Sequence, residues 1–246
     1  MQLIKLSATD STNAYLKRLS RREAVPDFTV VQAAHQTAGR GQPGARWISE
    51  DGKNLTFSVL KKFEAFPAQR HFQLNMLVSL AVYQLLESLG IPQVRVKWPN
   101  DILSGSHKVC GILLENQLRG GDLTSSIVGI GLNVNQTEFE GLPTATSLKS
   151  ITGKPHDLNE VLLTFIGLLQ AAFREMPHTV YDTYRSRYET HLYLRDQKAP
   201  FALPDGGRFM GIIRGVDPEG NLKVEDQGGR LRVFGFREVR YLREGS

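Results

Sequence analysis

Cysteine is nearly absent. Cys110 is the only one among 246 residues, which excludes disulfides within the chain and suits a reducing cytoplasm. No Cys/His cluster has the spacing of a zinc site. Long apolar runs are missing as well: the most apolar stretch, VLLTFIGLLQAAF from Val161 to Phe173, is too short and too interrupted to cross a bilayer. The first residues, MQLIKLSATDSTN, turn polar after six positions and do not read as a signal peptide. No internal repeat and no low-complexity tract is present. There is no Gly-Lys-Ser/Thr ending of a P-loop, and no glycine fingerprint lying between a strand and a helix as dinucleotide binding requires.

What is present is an ordinary globular composition, 41% hydrophobic and 22% charged, enough to bury a core. The net charge of +5 permits a nucleic-acid partner and equally permits anionic small molecules. Basic residues are spread along the chain, with only short clusters such as Arg21-Arg22 and Lys61-Lys62, and no recognition-helix pattern stands out. Duplex DNA is therefore not the expected partner.

The periodicity predicts an α+β protein. Strands are expected at Gln2–Leu6, in FTVVQAA, in the alternating NLTFSVLKK, and in VRVKW, KVCGILLEN and SSIVGIGLNV. A helix should open at Asp10, Ser11 or Thr12, and a longer one should run from Ala68 to Leu89, with Leu74, Leu77, Ala81 and Leu85 at helical spacing and Gly90 as its stop. Asp157 and Glu160 form a capping-box pattern for a helix reaching about Met176, and another helix follows from about Thr179 to Leu194. From Arg195 the character changes to short β-rich runs broken by DGG, DPEGN and QGG, which are hairpin signals. Two domains are expected, 1–194 and 195–246, the second a small β-barrel.

Four stretches carry candidate chemistry. TAGRGQPGARW (Thr37–Trp47) packs three glycines and a proline into six positions beside two arginines. Such a loop is either a solvated turn or a segment kept mobile to close on an anion. KWPND (Lys97–Asp101) is either a polar turn or a phosphate-binding lysine beside a magnesium carboxylate. In HKVCGILLE, Lys108 stands at a strand edge and Gly111 signals a close approach. Cys110 and His107 invite a thiol reading. Strand alternation argues against it, because residues three apart face opposite ways, and a small buried residue is the better reading of Cys110. In GIGLNVNQ, Gly129 and Gly131 leave bare backbone in an apolar strand, with Asn133 and Asn135 beyond.

In their order, DSTN, QTAGRGQPGARW, KWPNDI, KVCGIL, GIGLNVN and GIIRGVDPEGNL resemble the biotin protein ligases over nearly the whole chain. The resemblance implies a mixed β-sheet flanked by helices, akin to class II aminoacyl-tRNA synthetases, followed by an SH3-like barrel. It implies an ATP- and Mg²⁺-dependent reaction that activates biotin as biotinyl-5′-AMP. Biotin then passes to a lysine of a biotin carboxyl carrier domain, as in acetyl-CoA carboxylase. Lys108 and Arg40 match the catalytic cations. Ser11, Thr12 and Gln36 match positions that hydrogen-bond the ureido ring of biotin, Gly111 and Ile112 match backbone contacts along its tail, and Asn13, Gly39 and Gly41 match further biotin contacts. Trp47, Lys97, Asn100, Gly129, Gly131 and Asn133 match the adenylate site, and Asp101 a magnesium contact. Many members carry further arginines in the loop, GRGRxGR, where this chain has Gln42 and Ala45. Some carry a DNA-binding domain ahead of the first strand, and the early start of this chain implies a ligase only; a homodimer is compatible. A lipoate or octanoate ligase on the same scaffold and a basic nucleic-acid-binding module are the alternatives.

Overall fold

The protein is described by a computed structural model covering residues 1–242. Its first part alternates strands and helices: β1 (Gln2–Thr9), α1 (Thr12–Arg22), β2 (Thr29–Gln36), β3 (Leu55–Lys62), α2 (His71–Ser88), β4 (Val94–Lys97), β5 (Asp101–Ser104), β6 (His107–Arg119) and β7 (Asp122–Leu132). Then come α3 (Leu148–Thr152), α4 (Leu158–Glu175) and α5 (Tyr181–Thr190). The last part is all β: β8 (Lys198–Ala202), β9 (Arg208–Val216), β10 (Leu222–Asp226), β11 (Leu231–Phe234) and β12 (Arg240–Tyr241).

Strands β1 to β7 form one sheet in the order β1-β2-β3-β7-β6-β5-β4. Only β1 and β2 are parallel, joined by the crossover helix α1; the remaining pairs are antiparallel. The mixed sheet flanked by helices is thus as expected. One face carries the large core, where Val30, Phe57, Val59, Val128 and Ile130 pack with α2 and α4. The other carries a small cluster of Leu16 from α1 with Val31, Leu60 and Ile127. This two-sided cover corrects the reading of β3 as an alternating strand, since its first six residues are all buried. Its polar residues on the α1 face are spent inside: Thr56 donates to the Ala33 carbonyl at 2.9 Å, and Ser58 meets the start of α1. The hairpin strands β6 and β7 run longer than anticipated, and β5 and α3 escaped the sequence reading because each is only four or five residues long.

Helix α2 is preceded by a short 3₁₀ turn at Ala68–Arg70 and stops at Gly90, which adopts φ +73°. Asp157 caps α4 by accepting from the N–H groups of Asn159 and Glu160.

Strands β8–β12 form a five-stranded antiparallel sheet in the order β11-β10-β9-β8-β12, the small C-terminal β unit expected. The expected boundary at 194/195 falls in a segment bonded to both sheets: Tyr193 N–H donates to Val96 and Asp196 N–H to Ile213. Residues 243–246 of the expected second domain lie outside the described residues. Phe201, Ile213, Leu222 and Val224 belong to the same hydrophobic core as α2 and α4. The turn between β9 and β10 docks on that core. Trp98 Nε1 donates to the Gly220 carbonyl at 2.8 Å, and a Cβ on Gly220 would stand 2.1 Å from the Phe72 ring.

Gly220 also has φ +90°. Replacing it by alanine combines overpacking with a left-handed backbone, and Gly220→Ala is expected to lower stability by about 2–4 kcal/mol in denaturant titration.

Candidate active site

A cavity of about 380 Å³ opens on the α1 face of the large sheet. Its floor is the hairpin β6–β7, where Gly111 pairs with Gly131 and Leu113 with Gly129. These glycines leave bare backbone for other groups to occupy. A Cβ on Gly129 would lie 2.4 Å from Asn13 Oδ1, and one on Gly131 would lie 2.3 Å from the Trp47 ring. The first turn of α1 and the indole therefore rest directly on the sheet.

One end of the cavity is polar and fixed. Ser11, Thr12 and Asn13 are nearly fully buried. Thr12 N–H donates to Gln36 Oε1 at 2.8 Å. Ser58 Oγ lies 2.7 Å from Thr12 Oγ1 and 2.5 Å from Asn13 Oδ1, and Asn13 Nδ2 donates to Glu115. Ser11 occupies the N-cap of α1, but its side chain makes no capping bond. Asp10 accepts from the Ser11 N–H and is gripped by Nη1 and Nη2 of Arg18. Those guanidinium bonds hold the Asp10 carboxyl well below the usual carboxylate range. The hydroxyl of Ser11 is thus left to the cavity it lines.

The other end is cationic. Lys97, Lys108, Arg40, Arg46, Arg237 and Arg240 line the cavity against a single carboxylate, Asp101. Lys108 Nζ pairs with Asp101 Oδ1 at 2.6 Å and sits 5.7 Å over the Trp47 ring. Its position depends on an irregularity in β6. The β5 partners step from Cys110 to Lys108 in one residue, so Val109 is an extra, bulged residue. Lys108 thereby reaches the face of Gly111, where a Cβ would stand 3.2 Å from its Nζ. Strict alternation would have sent it into the core. With Val109 bulged, alternation no longer separates His107 from Cys110 on this strand. Cys110 stays inert for another reason: it is fully buried, and burial pushes its thiol far above the usual range.

The glycine loop is folded as a small hairpin. Arg40 pairs with Arg46, Gly41 N–H donates to Ala45 O, Ala45 N–H to Gln42 O, and Trp47 N–H to Gly39 O. Trp47 seated on Gly131 supplies the apolar contact that offsets part of the ordering cost. Its Nε1 and the hydroxyl of Tyr241, both at the cavity, are buried without a partner among the described residues.

Most of the expected site residues line this cavity; Gly39 and Asn133 do not. Gly39 is not on the lining: a Cβ there would strike the Trp47 carbonyl, so it serves the base of the hairpin. Asn133 also lies off the cavity, its Nδ2 donating to the Thr146 carbonyl at 3.0 Å, while Asn135 ties down His156. Both asparagines hold the loop after β7. Asn100 and Ile112 line the cavity but are bonded to each other through both polar groups of the Ile112 backbone. The sequence reading missed Ser58, a polar residue in a buried strand, and Phe236, Arg237, Val239, Arg240 and Tyr241 from the C-terminal sheet. The cluster FREVRY at 236–241 was the available signal.

Among the described residues no group of three His, Cys, Asp or Glu could hold a metal. A lone carboxylate suits magnesium that arrives with a nucleotide's phosphates, not one caged by protein. Taken together, the arrangement can hold a neutral polar group at one end and bring two anions together at the other. Gly131→Ala should unseat Trp47, seen as a red shift of tryptophan emission in the folded variant; an unchanged spectrum would contradict the packing described.

Residues 6–133 match the Biotin/lipoate A/B protein ligase family. The bifunctional ligase/repressor BirA of Bacillus spizizenii is 32% identical over 94% of this chain and 72% of its own. Biotin–[acetyl-CoA-carboxylase] ligase of Mycobacterium tuberculosis is 32% identical over 98% of this chain and 90% of its own. Among solved structures, biotin protein ligase from Aquifex aeolicus in complex with biotin and ATP superposes with a TM-score of 0.79 at 30% identity, covering 98% of this chain and 99% of that one. With the family match spanning just over half the chain, and similarity to these ligases running through the C-terminal sheet, the chain belongs to the biotin/lipoate A/B protein ligase family.

Proposed function

We propose that the protein is an ATP-dependent biotin–protein ligase that forms biotinyl-5′-AMP and passes biotin to a lysine of a carboxylase carrier domain. The observation that supports it most is the polarity of one cavity: a buried hydrogen-bonding end at Ser11, Thr12 and Gln36, a bare-backbone floor, and a cationic end at Lys108 and Arg40. A ureido ring, an aliphatic tail and a carboxylate follow the same order.

In the first step a carboxylate oxygen bonds to the α-phosphorus of ATP while the bond to the bridging oxygen breaks, and pyrophosphate leaves. Two anions must meet, so fixed positive charge is the principal aid. Lys108 stands at the meeting point. Its pairing with Asp101 keeps the ammonium aimed along the floor until a carboxylate and phosphate replace that partner. Lys97, held 5.2 Å over the Tyr241 ring, adds to the field. In the second step the carrier lysine's neutral amine attacks the acyl carbon, the amine sheds a proton, and AMP departs. Trp47 and the folded glycine loop cover the adenylate and keep water from the mixed anhydride. Magnesium arriving with ATP would neutralise charge on the phosphates, and Asp101 is the residue that would hold it.

A cavity of this size suits small anions and not a duplex, so the basic charge is read as serving ATP. The substrates put the enzyme in the cytoplasm. A lipoate ligase is separated by ATP–pyrophosphate exchange: biotin should drive it and lipoate should not. Mass measurement of an apo carrier domain after incubation with biotin, ATP and magnesium tests transfer. Lys108→Ala should slow biotinyl-AMP formation on the order of 10²–10³-fold; turnover near wild type would reduce this lysine to a strand-edge charge.

A further inference from the structure

Two polar residues bonded to the start of α1, Ser58 on β3 and Glu115 on β6, do not line the cavity. Ser58 is fully buried, and the Glu115 side chain is 24% exposed and has Lys17 Nζ at 3.4 Å. Taken singly they read as a core serine and a surface charge. Their bonds instead run in one unbroken line: Glu115, Asn13, Ser58, Thr12.

The hydrogens along this line follow from counting. A carboxylate only accepts, so the Asn13 atom 2.8 Å from Glu115 Oε2 is the amide nitrogen. The Leu113 carbonyl, 3.5 Å away, calls for the same nitrogen. Asn13 Oδ1 therefore faces Ser58 Oγ at 2.5 Å, and being buried it needs a donor. Ser58 has a single hydrogen, and Asn13 takes it. The other short contact of Ser58, 2.7 Å to Thr12 Oγ1, is then made with the Thr12 hydrogen. Thr12 lines the cavity with that hydrogen already spent, and its hydroxyl offers lone pairs alone. Gln36 is fixed the opposite way. Its Oε1 accepts the Thr12 N–H at 2.8 Å, which leaves its amide N–H groups for the cavity it also lines. An acceptor thus stands beside a donor, and a carboxylate outside the cavity sets the sign of the acceptor.

We infer that Glu115 is a positioning residue that acts through Asn13 and Ser58 to hold the Thr12 hydroxyl as an acceptor, so that the site selects a ring N–H over a ring oxygen at this point. The inference rests on the biotin reading above and adds how the site tells a cyclic urea from a cyclic carbamate of the same shape. A ring oxygen would meet the Thr12 lone pairs with no hydrogen between them, and a buried polar group left unpaired carries its full desolvation cost.

The test uses the full-length protein and calorimetric Kd values for biotin and for the two cyclic carbamates in which one or the other ureido N–H is replaced by oxygen. Wild type should bind at least one carbamate on the order of 10²-fold more weakly than biotin. The ratio of that carbamate's Kd to the Kd of biotin is the readout. In Ser58→Ala the Thr12 hydroxyl is released to donate, and the ratio should fall about tenfold. Glu115→Ala lets the Asn13 amide turn over and should lower the ratio likewise, whereas Glu115→Gln keeps an acceptor oxygen for Asn13 and should retain the wild-type ratio. KM for MgATP should stay the same in all three. A merely structural role would weaken biotin and both carbamates alike, so an unchanged ratio in folded Glu115→Ala overturns the inference. So does a ratio that falls as far in Glu115→Gln as in Glu115→Ala, or a wild type that binds both carbamates as tightly as biotin. Glu115 is partly exposed, so its variants decide the matter even where Ser58→Ala fails to fold. A wild type that does not bind biotin overturns the ligase reading itself, whereas biotin binding with an unmoved ratio overturns this inference alone.

Discussion

The site depends on a strip of sheet without side chains. Where β6 and β7 pair at Gly111–Gly131 and Leu113–Gly129, backbone is exposed on the α1 face. The start of α1 comes down on it until Asn13 Oδ1 occupies the place a Cβ of Gly129 would need, and Trp47 does the same at Gly131. A methyl group at either point would lift one wall of the cavity. Glycine weakens a strand by its entropy and missing packing. Here the β6–β7 hairpin is central, held by β3 on one side and β5 on the other, and the lost contacts are replaced by an amide and an indole. Ser58, directly opposite Gly129 on β3, secures the helix end that lands there.

Charge is placed by a second backbone device. One bulged residue, Val109, turns Lys108 from the core to the cavity while Cys110 and Ile112 continue to fill the core. A lysine sent into that core would be severely penalised. Turned outward, it finds Asp101 at 2.6 Å and the Trp47 face. The carboxylate thus orients the ammonium before any anionic substrate arrives, so little reorganisation is left to the reaction.

The C-terminal sheet is structurally continuous with this site. Its β9–β10 turn is pinned under Trp98 and against Phe72, its strands share the main core, and its last strand brings Arg240 and Tyr241 to the cavity. The two turns that meet at the cavity mouth, Gly39–Trp47 and Gly235–Glu238, are each held by their own short hydrogen bonds.

What the sequence by itself determined is local. Apolar periodicity placed α2 and α4, Gly90 and Asp157 marked an end and a beginning, and the glycine-bearing motifs, taken in order, pointed to the family and to most of the cavity's lining. Those signals depend on neighbours along the chain, so they survive without three-dimensional information. What only the tertiary structure decided is non-local. The bulge at Val109 is a register shift against β5, invisible in the residues HKVCG themselves, and alternation mispredicts it. Gly39 and Asn133 stand in the motifs beside the lining residues, and their bonds to Trp47 and to the loop after β7 are seen only in the fold. The burial of β3 on both faces needed α1 and α2 in place, and so did the use of Ser58. Arg237, Arg240 and Tyr241 lie some two hundred residues from Arg40 and Trp47 in the chain, and no pattern in either segment encodes their meeting. The shared core, which seats the small sheet against α2 and Trp98, is the physical reason they face one cavity.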